Sequence, residues 1–363
     1  MLTRTEELFF ELLRIALGTQ ETLTGRLSDE EWLEVSQMAV KQSVLGILYS
    51  AVEKLPEAQR PPTDLFIDMY QCVQEIEDRN RHMNKMTALV SSRFRKDGFP
   101  NCILKGQGIA LLYPNPLRRQ SGDIDIWLKG ERKEIVRYVK NVKESVQSSY
   151  HHIKFNLKDG TLVEAHFTPS VSYNPFSNKR VQHWYKEQQA MQIQNFRTVS
   201  ENHAQISVPT LEFNAVYLLH HAFRHLLSER LTMKQVIDYF YVLQNLINQK
   251  NQDKIYSDIQ TGLKTTGLTK FSGALSWVLT NNLGLAKDKL FLPVKETEGL
   301  FLAKYILDTS DKIVDDDQTR LSKDFNNAKP FFTTYPSEAL WYPLLSIGSK
   351  IWHTMKGDRR SVM

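Results

Sequence analysis

Short apolar runs separated by turn-forming residues occupy residues 98–167, while the sequence on either side has helical periodicity. Four of these runs have the length of buried strands: 100–105, 123–128, 151–157 and 161–167. The pair Asp159-Gly160, between the last two runs, is typical of a hairpin turn. A sheet of at least four strands between two helical regions predicts an α+β fold with a small mixed β-sheet.

Both flanking regions carry helix start signals. Thr3 with Glu6, and Ser28 with Glu31, match the capping box that precedes many helices. The predicted helices, apart from those before residue 60, are 63–96, a short one at 106–113, 131–147, 211–227, 232–248, 254–266, 270–282, 295–307 and 337–355. The polar segment 311–327 is predicted to be a loop or weak helix. The predicted division is an N-terminal helical region (1–97), an α/β core (98–205) and a C-terminal helical domain (206–363).

Composition excludes several classes of protein. Among 363 residues, 46 are Lys or Arg and 41 are Asp or Glu, so the net charge of +5 suits an anionic substrate without the basic stripe that duplex binding requires. Two cysteines, Cys72 and Cys102, argue against a disulfide scaffold or a disulfide partner. The N-terminus lacks the apolar core of a signal peptide, and no run approaches about 18 apolar residues. We therefore expect a cytoplasmic protein without a membrane span.

Two aspartates, Asp123 and Asp125, share one predicted strand with a single residue between them. Residues i and i+2 of a strand point to the same face, about 6.6–6.8 Å apart. A like-charge pair costs about 4 kcal/mol at 4 Å and an effective dielectric of about 20, so a cation would stabilise the pair. Oxygen ligands favour Mg²⁺ or Mn²⁺. The same spacing at Asp315 and Asp317 lies in a polar segment where solvation explains it, so spacing alone is a weak signal.

Three neighbouring features strengthen the metal hypothesis. Gly122 allows a tight entry into the strand that carries the aspartates. Residues 105–108, Lys-Gly-Gln-Gly, follow the preceding strand, where backbone N–H groups could receive phosphate oxygens. Glu164 lies on the outgoing strand of the predicted hairpin, where it could bring a third carboxylate beside the other two.

Four motifs in order resemble the uncharacterised nucleotidyltransferase family, a bacterial branch of the DNA polymerase β-type superfamily. They are Leu104-Lys105-Gly106, Leu112-Tyr113-Pro114, Arg119 through Gly122 into Asp123-Ile124-Asp125, and Glu164-Ala165-His166. The resemblance covers about residues 100–170, and more loosely the segment 221–238. It implies a polymerase β-like core that transfers a nucleoside monophosphate from an NTP, such as ATP, to a hydroxyl of an acceptor, with release of pyrophosphate.

The resemblance also implies roles for particular residues. Catalytic and metal-binding residues would be Asp123, Asp125 and Glu164, holding Mg²⁺ or Mn²⁺. Nucleotide-binding residues would be Lys105, Gly106, Gln107, Gly108, Arg119 and Gly122. Possible cleft residues are His166, His221, His225, Lys234 and Asp238. The acceptor stays open between a small molecule, a protein and an RNA end.

One departure from the wider superfamily leaves a second function open. The superfamily commonly has Gly-Ser after its first strand, where this chain has Gly106-Gln107, and the serine hydroxyl would contact phosphate. A catalytically degenerate nucleotide-binding or interaction protein on the same fold is therefore the alternative. A third, weaker alternative is a helical scaffold whose acids are surface residues.

The histidines admit several interpretations. His221 and His225 have the i, i+4 spacing of a helical zinc motif, but the glutamate of that motif is absent. They could instead bond Asp238, face the cleft or form a buried histidine face. His151 and His152 precede a strand, so only one of them is expected to face the active side of the sheet.

Overall fold

The computed structural model describes residues 2–143, 145–199, 204–228, 230–247, 249–308 and 320–355, without the side chains of 320, 321 and 346–355. Four helices precede the sheet: α1 (Arg4–Leu17), α2 (Asp29–Lys41), α3 (Leu45–Lys54) and α4 (Thr63–Lys96). The capping boxes predicted at Thr3 and Ser28 both form, with each side chain bonded to the backbone of the glutamate three residues on. The predicted span of α4 is confirmed at both ends.

Five strands and two helices follow: β1 (Asn101–Ile103), α5 (Gln107–Ala110), β2 (Ile124–Leu128), α6 (Arg132–Val142), β3 (Gln147–Ser148), β4 (His152–Asn156) and β5 (Leu162–His166). The sheet order is β1-β2-β5-β4-β3, and the β2–β5 pair alone is parallel among these described strands. The prediction of a small mixed sheet between helical regions is confirmed.

The helix predicted over 131–147 is too long. It ends at Val142, whose side chain is exposed, and Gln147–Ser148 instead forms the edge strand that pairs with β4. The buried face of α6 consists of Ile135 and Val139, and the next apolar residue, Val146, packs onto the sheet from outside the helix. Charged residues continue in the sequence to Glu144, beyond the end of α6 at Val142. The charge pattern alone therefore overestimates the length of the helix.

The rest of the chain is mainly helical: α7 (Pro175–Gln194), a two-stranded hairpin of β6 (Phe196–Val199) and β7 (Ala204–Ser207), α8 (Leu211–Ser228), α9 (Met233–Leu246), α10 (Gln252–Thr266), α11 (Thr269–Asn281), α12 (Glu296–Leu307), α13 (Arg320–Ala328) and α14 (Pro336–Met355). The six helices predicted after residue 206 are confirmed to within two residues at each end, whereas α7 and the hairpin were not predicted. Asp315 and Asp317 lie outside the described residues. None of the helices within the described ranges has the length and apolarity needed to cross a bilayer.

Two sets of buried apolar residues explain how the sheet is placed. Alternate residues of β2 and β5, including Ile124, Ile126 and Val163, face a core shared with α4 and α6. The residues between them point the opposite way because side chains alternate along a strand. Trp127 on that second face packs into a larger core with the N-terminal and C-terminal helices. The second face of the sheet therefore lies beneath the C-terminal helices, and the predicted acids are on it.

Candidate active site

The parallel pairing of β2 with β5 brings the predicted acids together. Asp125 lies directly opposite Glu164, and Trp127 lies opposite His166. All four side chains share the face that is turned away from Ile124 and Val163. Two carboxylates 39 positions apart in sequence thus become cross-strand neighbours, as the strand pattern and hairpin predicted.

Asp125, Glu164 and His166 form a compact group of possible metal ligands. One donor atom from each lies within 4.8 Å of the others, and all three residues are buried. His166 Nε2 lies 2.9 Å from Asp125 Oδ1 and 3.5 Å from Glu164 Oε2. Asp123, at the entrance to β2, lines the same cavity without belonging to this group. The charge of Asp125, together with burial, raises the pKa of Asp123 to about 6.

Two lysines neutralise the buried carboxylates. Lys105 Nζ lies 3.0 Å from Asp125 Oδ1, and Lys154, opposite Glu164 on β4, contacts Glu164 Oε1. Burial acts to raise the pKa of Asp125, but Lys105 and the hydrogen bond with His166 outweigh it and lower that pKa. Burial likewise opposes ionisation of Glu164, and the bond with His166 and the neighbouring basic groups lower its pKa. Both carboxylates are therefore held in the ionised form.

The turn after β1 supplies part of the predicted phosphate site. Gly106 has φ +53° and ψ −117°, a conformation that favours glycine, and a Cβ there would lie 3.5 Å from the Asp123 carbonyl oxygen. Lys105, Gly106, Arg119 and Gly122 line the cavity, whereas Gln107 and Gly108 are not among the described lining residues.

Gln107 is instead bonded to helix α4. Its Nε2 donates to Asn84 Oδ1 at 2.8 Å and to Asn80 Oδ1 at 3.3 Å, and the side chain is buried. Gly108 packs against the Ile103 carbonyl oxygen and Val208, where a Cβ would lie 3.1 Å from each. Gln107 and Gly108 therefore anchor the turn to neighbouring elements and do not line the cavity.

Arg119 and Asp238 form a buried, bidentate ion pair. Arg119 Nε and Nη2 donate to the two Asp238 oxygens at 2.7 and 2.8 Å, and the Tyr113 hydroxyl donates to Asp238 Oδ1 at 2.6 Å. The interpretation in which His221 and His225 bond Asp238 is therefore wrong. His221 Nε2 lies 3.3 Å from Lys105 Nζ, and both histidines line the cavity.

The prediction that only one of His151 and His152 faces the active side is wrong as well. Both line the cavity and are buried, with His152 Nδ1 2.9 Å from His151 Nε2. Because β4 begins at His152, His151 precedes the strand and is not bound by its alternation. Arg224 Nη1 lies 2.8 Å from His151 Nε2. Burial, followed by neighbouring positive charge, lowers the pKa of His151 well below its ordinary value and that of His152 to about 3.

Sequence reasoning gave no role to Lys154, Arg224 or Tyr113. The hairpin would have revealed the first of these, because pairing about the turn at Asp159 places Lys154 opposite Glu164. Arg224 lies one helical turn from His221 and His220, on the same helix as the noted histidines. No sequence signal identifies Tyr113 as the partner of Asp238, since the two are 125 positions apart.

Most of these groups line one cavity of about 1120 Å³ between the sheet and the C-terminal helices. Its walls include six basic side chains, Lys105, Arg119, Lys154, Arg224, Lys234 and Lys323, and five of the chain's 10 histidines. Burial, and then the charge of Arg119, lowers the pKa of Lys234. The walls also carry five carboxylates, Asp123, Asp125, Glu164, Asp238 and Asp324. The cavity is large enough for a nucleotide-sized ligand, and its mixture of acidic and basic groups suits a polyanion that arrives with a cation.

Comparison with known proteins identifies the family of this chain. The family model described as uncharacterised nucleotidyltransferase matches residues 28–282, more than half of the chain, and the protein belongs to that family. It is also similar to an antigenic nucleotidyltransferase-like protein from Paracoccidioides brasiliensis of known crystal structure. The two are 15% identical over 59% of this chain and 94% of that chain, with a TM-score of 0.34, which is too low to transfer site residues. No curated protein matches the sequence.

Proposed function

We propose that the protein transfers a nucleoside monophosphate from an NTP to a hydroxyl of an acceptor and releases pyrophosphate. The observation that carries the proposal is the β2–β5 register, which sets Asp125 opposite Glu164 in the wall of a cavity that also holds six Lys and Arg side chains. Family membership supports the same reaction class. The acceptor is a small molecule, a protein or an RNA end. Because the reaction consumes NTPs, which the cytoplasm supplies, the proposed location is cytoplasmic.

The donor chemistry fits a divalent cation. Asp123, Asp125 and Glu164 offer carboxylate oxygens on one side of the cavity, the ligands that Mg²⁺ and Mn²⁺ prefer. Lys105 contacts Asp125 in this structure, so a cation bound here would compete with its ammonium for that carboxylate. A divalent cation bound here would neutralise the triphosphate and favour departure of pyrophosphate.

The chain's own groups would perform the remaining work. The acceptor oxygen attacks the α-phosphorus while the bond from that phosphorus to the bridging oxygen breaks, so pyrophosphate leaves with both bonding electrons. A carboxylate oxygen of Glu164 accepts the hydroxyl proton. Lys105 and Lys234, which both line the cavity, balance the phosphate charge, and Gly106 allows its backbone to approach the phosphates.

A screen for pyrophosphate release and label transfer tests the proposal. The four common NTPs are each incubated with divalent cation and pooled acceptors, with the protein itself included as an acceptor. We expect transfer that falls at least about a hundredfold in Asp125→Asn and Glu164→Gln, because each removes a charged ligand. Asp78→Asn, at an exposed position on α4, is the matched control and should retain transfer. Equal activity in Asp125→Asn and the control would exclude the proposed site.

A nucleotide-binding protein without turnover is the second candidate. The observation that favours it is that Gln107, at the position where the wider superfamily commonly has serine, has no hydroxyl for phosphate and donates its side-chain amide to Asn84 on α4. This candidate predicts that an NTP raises the melting temperature while no acceptor yields pyrophosphate. Thermal stabilisation measured beside the transfer screen separates the two functions.

A further inference from the structure

One imidazole nitrogen faces both carboxylates of the candidate active site. His166 Nε2 is 2.9 Å from Asp125 Oδ1 and 3.5 Å from Glu164 Oε2, and His166 is only 3% exposed. An N–H group at Nε2 can form a well-aligned hydrogen bond with only one of these two oxygens. A cation between the two carboxylates would instead be in reach of the imidazole lone pair.

The separations between these donor atoms suit a first-row transition ion. Ligand bonds of about 2.1 Å place neighbouring donors about 3.0 Å apart in an octahedral site and about 3.4 Å apart in a tetrahedral one. The two measured separations, 2.9 and 3.5 Å, lie close to these values. These donor atoms are therefore spaced closely enough to hold such an ion once Lys105 gives up its contact with Asp125 Oδ1.

A further nitrogen lies beside this group. His152 Nδ1 is 3.6 Å from Glu164 Oε2, and ring nitrogens of His151, His152 and His166 lie within 4.8 Å of one another. Arg224 Nη1 lies 2.8 Å from His151 Nε2. His152 is therefore better placed than His151 to offer a second ring nitrogen to a cation. The second ring nitrogen of His166, Nδ1, has no hydrogen-bond partner within the described part of the chain.

We propose that His166 is a direct ligand of the bound cation, so that the site selects a first-row transition ion such as Mn²⁺ over Mg²⁺. Imidazole is a good ligand for transition ions, whereas Mg²⁺ prefers oxygen and water. The inference rests on the proposed function for the location of the cation, and it adds the identity of a nitrogen ligand and the resulting metal preference.

Pulsed EPR of the full chain loaded with Mn²⁺ alone provides the test. We expect coupling from a directly bound ¹⁴N nucleus, replaced by ¹⁵N coupling when the histidines carry ¹⁵N in their rings. The coupling should be lost in His166→Gln and retained in His183→Gln, an exposed histidine on α7. Isotope labelling of the unaltered protein establishes that a histidine ring nitrogen binds the ion even where His166→Gln does not fold, and retention of the coupling in His152→Gln assigns it to His166.

Titration calorimetry supplies an independent measure. The wild-type Kd for Mn²⁺ should be at least about tenfold lower than that for Mg²⁺, and His166→Gln should remove most of this ratio. Mn²⁺ binding without nitrogen coupling would overturn the inference and leave the proposed function intact. Nitrogen coupling in a protein that transfers no nucleotide would support the inference while the proposed function fails.

Discussion

At the residue scale, Lys105 competes with any cation for Asp125. Its ammonium lies 3.0 Å from Asp125 Oδ1, and a unit charge at about 4 Å contributes several kcal/mol at an effective dielectric of about 20. Lys105→Met should therefore raise the affinity for Mn²⁺ in the absence of nucleotide by about tenfold or more. Titration calorimetry measures this change, and transfer activity should fall because the phosphates lose a counter-charge.

Lys234→Met is the matched control for that experiment. Lys234 lines the same cavity and carries the same charge, but no contact with the three carboxylates is found within the described residues. Its removal should raise Mn²⁺ affinity less than the removal of Lys105. If both variants bind Mn²⁺ equally well, net charge rather than direct competition controls the affinity.

The candidate site was predictable where local spacing placed its residues. Alternation along β2 put Asp125 on the face that also carries Glu164, and the hairpin carried Glu164 to the next strand. Asp123 lies just before β2, outside its alternation, and lines the same cavity. Arg224 and the bonds of Asp238 were not predictable, because they depend on how helices α8 and α9 dock over the sheet. Docking is set by the large apolar core, and its geometry leaves no local mark in the sequence.

At the element scale, helix α7 shows which local signals are sufficient for prediction. Its start carries Asn174, whose side chain accepts from the backbone of Phe176 and Ser177, and Pro175 at the first helical position. However, Val181, Tyr185 and Gln192 are its only buried residues among those described, and although they lie on one helix face, that face includes a glutamine and gives only a weak apolar pattern. Helices α1 and α2 have both a capping box and a buried apolar face, and these were predicted.

Helix α3 packs against the segment that leads to Arg119. A Cβ on Gly46 would lie 2.4 Å from the Arg118 carbonyl oxygen, and Asn80 on α4 donates to the carbonyl oxygens of Leu117 and Arg119 from the other side. Gly46→Ala should lower the free energy of unfolding by about 1–3 kcal/mol, despite the better helix propensity of alanine. Urea unfolding measures the change.

Gly25→Ala is the control for this clash. No heavy atom of the described structure lies within 4 Å of a Cβ built at Gly25, so its effect should stay within about 0.5 kcal/mol. Similar unfolding free energies for the Gly25 and Gly46 variants would show that the backbone of residues 116–119 yields easily. In that case the position of Arg119 would not depend on α3.

At the scale of the whole molecule, the Arg119–Asp238 pair joins the sheet region to helix α9. Both side chains are buried, and their bidentate bonds cross the proposed boundary between residues 98–205 and 206–363. Asp238→Asn should destabilise the fold by about 3–5 kcal/mol, because it leaves the Arg119 charge buried without its counter-charge. Unfolding in urea provides the measurement.

Two further variants identify the cause of that loss. Replacing both partners, as Arg119→Met with Asp238→Leu, removes the buried charge and should recover part of the stability lost in Asp238→Asn. Asp78→Asn removes an exposed partner of Arg81 and should cost less than about 1 kcal/mol. A double variant less stable than Asp238→Asn would mean that the bonds themselves, rather than charge burial, dominate.

The buried histidines make the stability of the whole molecule sensitive to acid. His220 is hydrogen-bonded to Ser172, which precedes α7, and to Tyr185 on α7. Burial, followed by the charge of Arg224, lowers the pKa of His220 to about 3. Above pH about 6.5 both folded and unfolded chains hold it neutral, so its contribution to stability is complete. As the pH falls from about 6.5 towards 3, only the unfolded chain binds a proton, and up to about 1.4 kcal/mol is lost per pH unit.

Replacement of His220 should therefore make the acid dependence shallower. Urea unfolding between pH about 7 and 5 should give His220→Gln a slope smaller than wild type by up to about 1.4 kcal/mol per pH unit, even where its stability at neutral pH is lower. His183→Gln, at an exposed position, should keep the wild-type slope. An unchanged slope in His220→Gln would assign the acid sensitivity to the other buried histidines, His151 and His221, whose pKa values burial also lowers.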